Sequence, residues 1–411
     1  MSPIRRYAPK FALLIAMLSL PVALPSPLHA ATEKVIYNFA AIPDGHLPVG
    51  PLTADSQGNF YGTTDQGGNS NSVGTVFELS PDGHGGWSEK VLYSFCSVGG
   101  ASCLDGAYPL GSELAIDGMG NLYGTTYSGG TGNWGTVFEL SPEGEGWSEK
   151  VLYNFTGQLD GSNPQSGVIL DSSGNLYGTN PVAWGTNGGV VFKLSPSENE
   201  WTYTVIYGIE FINAQYFTPG LVMDGNGNLF GAAGLDVFEL TPNGGAWDST
   251  ILHTFPGSGY AFEGTPVLDQ SGDIYGTMMH IAKRGRQWKS GEVYQLTRKN
   301  GVWKSKTLYS WPSGTGPRGG VVLDSSGNVY GANFGGGTYG QGRVFELLKP
   351  AKGNKYSERD LWNFCDLTPE CQNSRGGALP LDGVILSGGN LYGTTSTGGT
   401  TNGGVIFEII P

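Results

Sequence analysis

Short apolar runs recur along the whole chain, and Gly, Asp, Asn and Pro stand between them. The runs are β-branched and aromatic, as in Gly167-Val168-Ile169-Leu170, Asn175-Leu176-Tyr177 and Val191-Phe192-Lys193-Leu194. That combination predicts strands joined by tight turns. Past the N-terminus no window sustains a helical period. Four strands follow one another in each unit. A first apolar run is followed by the turn Asp171-Ser172-Ser173-Gly174 and the second strand. A Gly-rich loop then leads to the third strand, and a Pro/Gly/Glu turn leads to a fourth such as Trp147–Phe155.

The unit repeats seven times. Its core is GNLYG at 120–124, 174–178 and 389–393, with GNFYG at 58–62, GNLFG at 227–231, GDIYG at 272–276 and GNVYG at 327–331, so that successive copies are 45 to 62 residues apart. A period of this size signals a solenoid, a propeller or an array of small domains. The fourth strand decides among them. It follows the first six third strands, at 87–95, 147–155, 201–209, 247–255, 303–311 and 356–364, and is missing after the seventh. A spare copy, Glu33-Lys34-Val35-Ile36-Tyr37-Asn38-Phe39, precedes the first unit. The strands balance only if this segment completes the last unit, and ring closure also removes exposed sheet edges. The expectation is an all-β, seven-bladed β-propeller over 31–411, closed by an N-terminal outer strand.

Composition fits such a ring. The 69 Gly and 24 Pro are periodic and interleaved with 18 Phe, 20 Tyr and 10 Trp, which argues against disorder. Net charge is −13, and −16 once residues 1–30 are removed with Arg5, Arg6 and Lys10. An acidic surface repels phosphate backbones, so nucleic acid is not an expected partner.

Residues 1–30 read as a secretory signal. The basic residues precede an apolar stretch, Phe11 to Leu24, too short for a membrane span, and cleavage falls near Ala30. The expected location is secreted or periplasmic. Two close cysteine pairs, Cys96/Cys103 and Cys365/Cys371, each begin directly after a fourth strand, which predicts two local disulfides rather than a metal site.

Several motifs invite a chemical reading. Asp-x-x-Gly-Asn/Asp recurs in six units, but it lacks the terminal Glu and alternating oxygens of a calcium loop. Asp capping a tight hairpin explains it. Three Gly-x-Gly-x-x-Gly matches, at 130–135, 314–319 and 335–340, each precede a strand rather than a helix and so are not dinucleotide loops. Loops beginning at Asp44, Asp105 and Asp160 precede inner strands and read first as simple turns fixed by Asp, Gly and Pro, with a partial acidic rim that holds a cation or a sugar as the functional alternative. The fifth unit carries an irregular insertion in which Lys283, Arg284, Arg286 and Lys289 surround Trp288, a set suited to an anionic glycan or an acidic partner. The inner strands are apolar, the histidines are scattered, and no catalytic site, metal site or cofactor is indicated.

The composite of D-x-x-G-N-L-Y-G-T-T, a Gly-rich loop, G-T-V-F-E-L and W-x-E-x-V-L-Y-N-F resembles the bacterial choice-of-anchor GloVer tandem repeat across residues 33–411. The resemblance implies an exported repeat protein, often surface-anchored, with no activity to carry over. This chain ends within a strand and shows no C-terminal hydrophobic anchor. The expected function is a monomeric, non-enzymatic scaffold binding a protein or a glycan. The alternative is a lyase, lactonase or hydrolase acting at the channel mouth.

Overall fold

The computed structural model describes residues 31–411 apart from 41, 112, 184–187, 199, 211–219, 257–259, 282–287, 313–314, 354 and 366–375. The expected signal segment lies outside the described residues. Seven antiparallel sheets stand as the blades of a β-propeller, with a single turn of 3-10 helix at Gly100–Ser102 among the described residues. Blades 1 to 6 span 53–94, 115–154, 168–210, 222–254, 267–310 and 322–363; blade 7 combines 384–410 with 32–38. Blade 2 is representative: Ala115–Ile116, Leu122–Thr126, Thr136–Glu143 and Gly146–Asn154 pair in chain order from the inside out.

The repeat's sequence signature has a steric cause in six of the blades. The last Gly of the second-strand core lies under the aromatic ring of the third strand. A Cβ added at Gly62 would stand 2.6 Å from the Phe77 ring, and one at Gly393 2.6 Å from the Phe407 ring. The apolar run of the fourth strand, Val91-Leu92-Tyr93 in blade 1 and Val151-Leu152-Tyr153 in blade 2, has a different origin. Pairing between third and fourth strands slips by one residue at the same place in all seven blades, between Val35 and Tyr37 and between Val151 and Tyr153, for example. The skipped residue is always Leu or Ile. It turns out of the ladder into the space between blades, and Leu92, Leu152, Leu252, Leu308 and Leu361 are all buried there. A β-bulge of this kind also adds twist.

The core therefore lies between blades rather than within one layer. Seven apolar clusters are present, one for each pair of neighbours. An aromatic pair sits in each interface. Phe95 meets Phe138 at 5.1 Å, Phe155 meets Phe192 at 5.6 Å, Tyr207 meets Phe238 at 5.3 Å and Phe255 meets Tyr294 at 5.1 Å. Trp311 meets Phe345 at 4.6 Å, Phe364 meets Phe407 at 5.0 Å and Phe39 meets Phe77 at 5.1 Å. Such pairs contribute roughly 0.5–1.5 kcal/mol beyond the area they bury. Second-strand threonines add a polar staple to the segment entering the next blade: Thr63 Oγ1 donates to Pro109 O at 3.0 Å, Thr277 Oγ1 to Gly319 O at 3.0 Å and Thr394 Oγ1 to Gly50 O at 3.4 Å.

The last of these joins blade 7 to blade 1. There Thr32–Asn38 pairs antiparallel with Val405–Ile410 as the outermost strand of blade 7, and Phe39 N donates to Gly404 O at 3.0 Å. Deleting residues 31–40 removes that strand and half of the Phe39–Phe77 pair. The expected result is a lower melting temperature for the whole ring, read by circular dichroism. A truncated protein that melts with the intact one would show that the strand contributes nothing to closure.

Outer-strand glutamates set a second expectation. Burial pushes Glu33 up to about 7, and it does the same to Glu89, with repulsion from Asp44. Burial and then Asp105 push Glu149 up to about 8. A raised carboxyl contributes stability that is complete below its unfolded value, about 4.5, and lost as pH rises through the folded one. The turn aspartates, described below, act oppositely, and their contribution is lost below about pH 4. Stability is thus expected to peak near pH 4–5 and to fall toward pH 8, as a scan of melting temperature against pH will read. A melting temperature that climbs from pH 5 to pH 8, by contrast, would contradict these assignments.

Candidate functional site

The repeated turn carboxylates are fully occupied by their own hairpins. Asp55 Oδ1 accepts from the N–H groups of Gln57 and Asn59 at 2.8 and 2.9 Å, while its Oδ2 takes the Asn59 amide at 2.8 Å and the Tyr61 hydroxyl at 3.3 Å. Asp117, Asp171 and Asp324 repeat the pattern. Burial alone raises such a carboxyl, but the donated hydrogen bonds outweigh it and hold all four below the ordinary range.

The acidic loops are also built inward. Asp44 Oδ2 accepts from the Tyr37 hydroxyl at 2.9 Å and from Ala40 N at 2.7 Å. Asp105 Oδ2 accepts from Tyr93 and Ser97 N, both at 2.8 Å, and Asp160 Oδ2 accepts from Tyr153 at 2.9 Å and Thr156 N at 2.8 Å. Each carboxylate thus locks an outer-strand tyrosine to its own loop, and the three lie in separate blade junctions. Each loop then runs along the second strand of the following blade. Gly45–Pro48 pairs with that strand in blade 1, where a simple turn was expected. The residue before each loop proline holds a left-handed conformation: Leu47 (φ 58), Tyr108 (φ 56), Asn163 (φ 54) and Leu379 (φ 57). That strain is held by N–H bonds to the preceding blade, from Leu47 to Gly403 O at 2.9 Å and from Tyr108 to Val73 O at 2.7 Å.

Of the basic insertion, Lys283, Arg284 and Arg286 lie outside the described residues, while Trp288 and Lys289 open the third strand of blade 5, Trp288–Lys299. The Cys96–Cys103 disulfide is present. Cys365 is also disulfide-bonded, and its expected partner Cys371 lies outside the described residues.

The arrangement with chemical capacity is one that the motifs did not mark. At the centre of the ring is a cavity of about 680 Å³ walled by inner-strand residues such as Ile169, Val222, Val267, Val322 and Ile385. Five polar side chains from five blades join this apolar wall: Glu113, Gln165, Glu263, Arg318 and Asp382. All stand in the segments that enter inner strands. Those segments approach one another closely because they are glycine-rich: a Cβ at Gly167 would lie 1.8 Å from Glu113 O, and one at Gly319 would lie 2.4 Å from Asp382 Oδ1.

Solvation here is poor. Burial pushes Glu263 up to about 7, with partial relief from the Arg318 guanidinium. Burial also lifts Asp382 to about 7, against a backbone bond from Gly383 N and with repulsion from Glu113. Glu113 keeps water-accessible surface toward the cavity, yet protein encloses it on nearly every side and holds its carboxyl above the usual range. Glu263 Oε1 and Gln165 Oε1 are buried without a hydrogen-bond partner. Arg318 lies 4.3 Å from the centroid of the Phe334 ring. The signal in the sequence was a polar residue two to four positions ahead of an apolar inner strand, easily overlooked when only the strands themselves are inspected.

Fold and site together define a seven-bladed propeller with a polar cluster in an apolar central cavity. Residues 101–237 and 236–411 match the Gloeobacter/Verrucomicrobia repeat, and the chain belongs to that family. No curated protein matches it in sequence. Among solved structures it is similar to the polysaccharide lyase Uly1, with a TM-score of 0.52, 12% identity, and 90% of this chain and 92% of that one covered. A streptogramin B lyase gives a TM-score of 0.50 at 12% identity, covering 92% and 97%. PorZ, a surface component of the type-IX secretion system of Porphyromonas gingivalis, gives 0.51 at 14% identity, covering 88% of this chain and 46% of PorZ. At such identities the likeness is one of fold.

The enclosed carboxyls carry a stability cost that depends on pH. Replacing Glu113 by Gln, or Asp382 by Asn, removes a charge that the folded cavity solvates poorly. Each variant is expected to melt above the parent at pH 8, by about one to a few degrees, and close to it at pH 5. Differential scanning fluorimetry at both values tests this, and a lower melting temperature at pH 8 would rule out the assignment.

Proposed function

We propose that this is an exported, non-catalytic binding propeller that takes a small molecule, or the end of a protein or glycan chain, into its central cavity. The observation that carries the reading is the convergence of five polar side chains from five blades on one apolar-walled cavity. A concave, mostly apolar site with a few fixed polar groups is the usual form of a ligand pocket. The Ser166 hydroxyl in the cavity wall is bonded to Thr179 Oγ1 at 2.8 Å, so it is not paired with a base among the described residues. Export is supported by the N-terminal apolar segment and by the disulfide.

One observation favours a second reading, a lyase, lactonase or hydrolase. Glu263 and Asp382 sit near neutrality, where a general acid or base works best. A ligand-observed NMR screen of sugars, amines and organic acids separates the possibilities. Binding is expected without turnover, and it is expected to be lost in a Val222→Trp variant that fills the cavity but keeps the parent's melting temperature. Hits that survive Val222→Trp place binding elsewhere, and product formation that Glu263→Gln abolishes favours the enzyme.

A further inference from the structure

Among the described residues only four ionisable groups line the cavity: Glu113, Glu263, Asp382 and Arg318. Three carboxyls therefore face one guanidinium. Arg318 is already engaged, since it lies over the Phe334 ring and its charge acts on Glu263. Glu113 accepts no hydrogen bond among the described residues and keeps surface open to the cavity. The wall around these groups is aliphatic. With its carboxyls ionised, the cavity thus holds a surplus of acceptors and of negative charge over its one guanidinium.

We infer that the occupant of this cavity is an organic ammonium: a cationic amine head that donates to Glu113 and Asp382, joined to an aliphatic body that lies on the inner-strand wall. This rests on the reading of the cavity as the binding site and narrows its ligand. An ammonium supplies three donors and the missing positive charge, and charge-assisted bonds of that kind are the strong ones. A bare metal ion fits less well, because no group of three Asp, Glu, His or Cys among the described residues is placed to hold one. A neutral polyol would leave the charge uncompensated, and an anion would meet repulsion. The protein's net charge of −13 attracts a cation from a distance. Carboxyls that hold protons in the empty cavity give them up when the ammonium arrives, so binding near neutral pH releases protons.

The amine has two sources, a free aliphatic amine or a lysine side chain, and the probes separate them. Calorimetry on the full mature chain uses cadaverine, the peptide Gly-Lys-Gly, pentanediol and glutarate, in two buffers of different ionisation heat. The expected result is single-site binding of cadaverine or of the peptide with proton release. That binding should weaken about tenfold or more in Glu113→Gln/Asp382→Asn and stay unchanged in the exposed control Glu145→Gln. Preference for the peptide identifies a lysine-bearing partner, and preference for cadaverine a free amine. Should the double variant fail to fold, Glu113→Gln alone is read by the same loss. Pentanediol or glutarate binding as tightly as the amines would overturn the charge assignment while leaving the cavity as the site. So would amine binding that ignores the carboxyl variants, or the absence of amine binding.

Discussion

The ring depends on a contact between a missing side chain and an aromatic one. In six blades an added Cβ on the second-strand glycine would stand 2.3–2.6 Å from the third-strand ring. Glycine in a strand ordinarily weakens it. Here its absent side chain lets Phe77, Phe192, Phe238, Phe345 and Phe407 lie across the neighbouring strand, and each then faces an aromatic of the preceding blade. One glycine thus couples packing within a blade to packing between blades. A ring whose stability resides in seven equivalent interfaces cannot lose one cheaply, and truncating any of these phenylalanines to Ala should cost about 3–5 kcal/mol.

Much of this was legible in the chain because it repeats. Seven cores, six fourth strands and one displaced copy were enough to give the blade number and the place of the N-terminal segment. The turn aspartates were legible as well, because Asp-x-x-Gly-Asn has a local explanation that needs no distant partner. The fourth-strand bulge was written in the Val-Leu-Tyr run, yet its meaning needed the pairing register. The acidic loops were harder. Asp44, Asp105 and Asp160 repeat in the sequence, and repetition suggested a shared rim. Each instead serves its own junction by fixing one tyrosine, so repetition there reflects a repeated structural task.

The central cluster was illegible for the opposite reason. Glu113, Gln165, Glu263, Arg318 and Asp382 differ in type and stand at slightly different offsets from their inner strands, so no motif joins them. Only closure of the ring brings five blades to one axis, and no local window of sequence carries that information. In a repeat protein the residues that the repeat does not require are found where the copies disagree, and these five stand at such places.

That disagreement has a physical cost that supports its significance. The repeat could place Gly, Ser or Thr in these entry segments, as Gly220 and Thr265 do in this chain. Instead three carboxyls are held where solvation is poor enough to lift their affinity for protons. A structural role would provide partners, as the turn aspartates have theirs, and those carboxyls are shifted downward. The two sets of acids in one chain move in opposite directions for this reason. Acids that collect several donors, as the turn aspartates do, are held low, and the cavity acids collect fewer: Asp382 accepts from Gly383 N, and Glu113 accepts from no described residue.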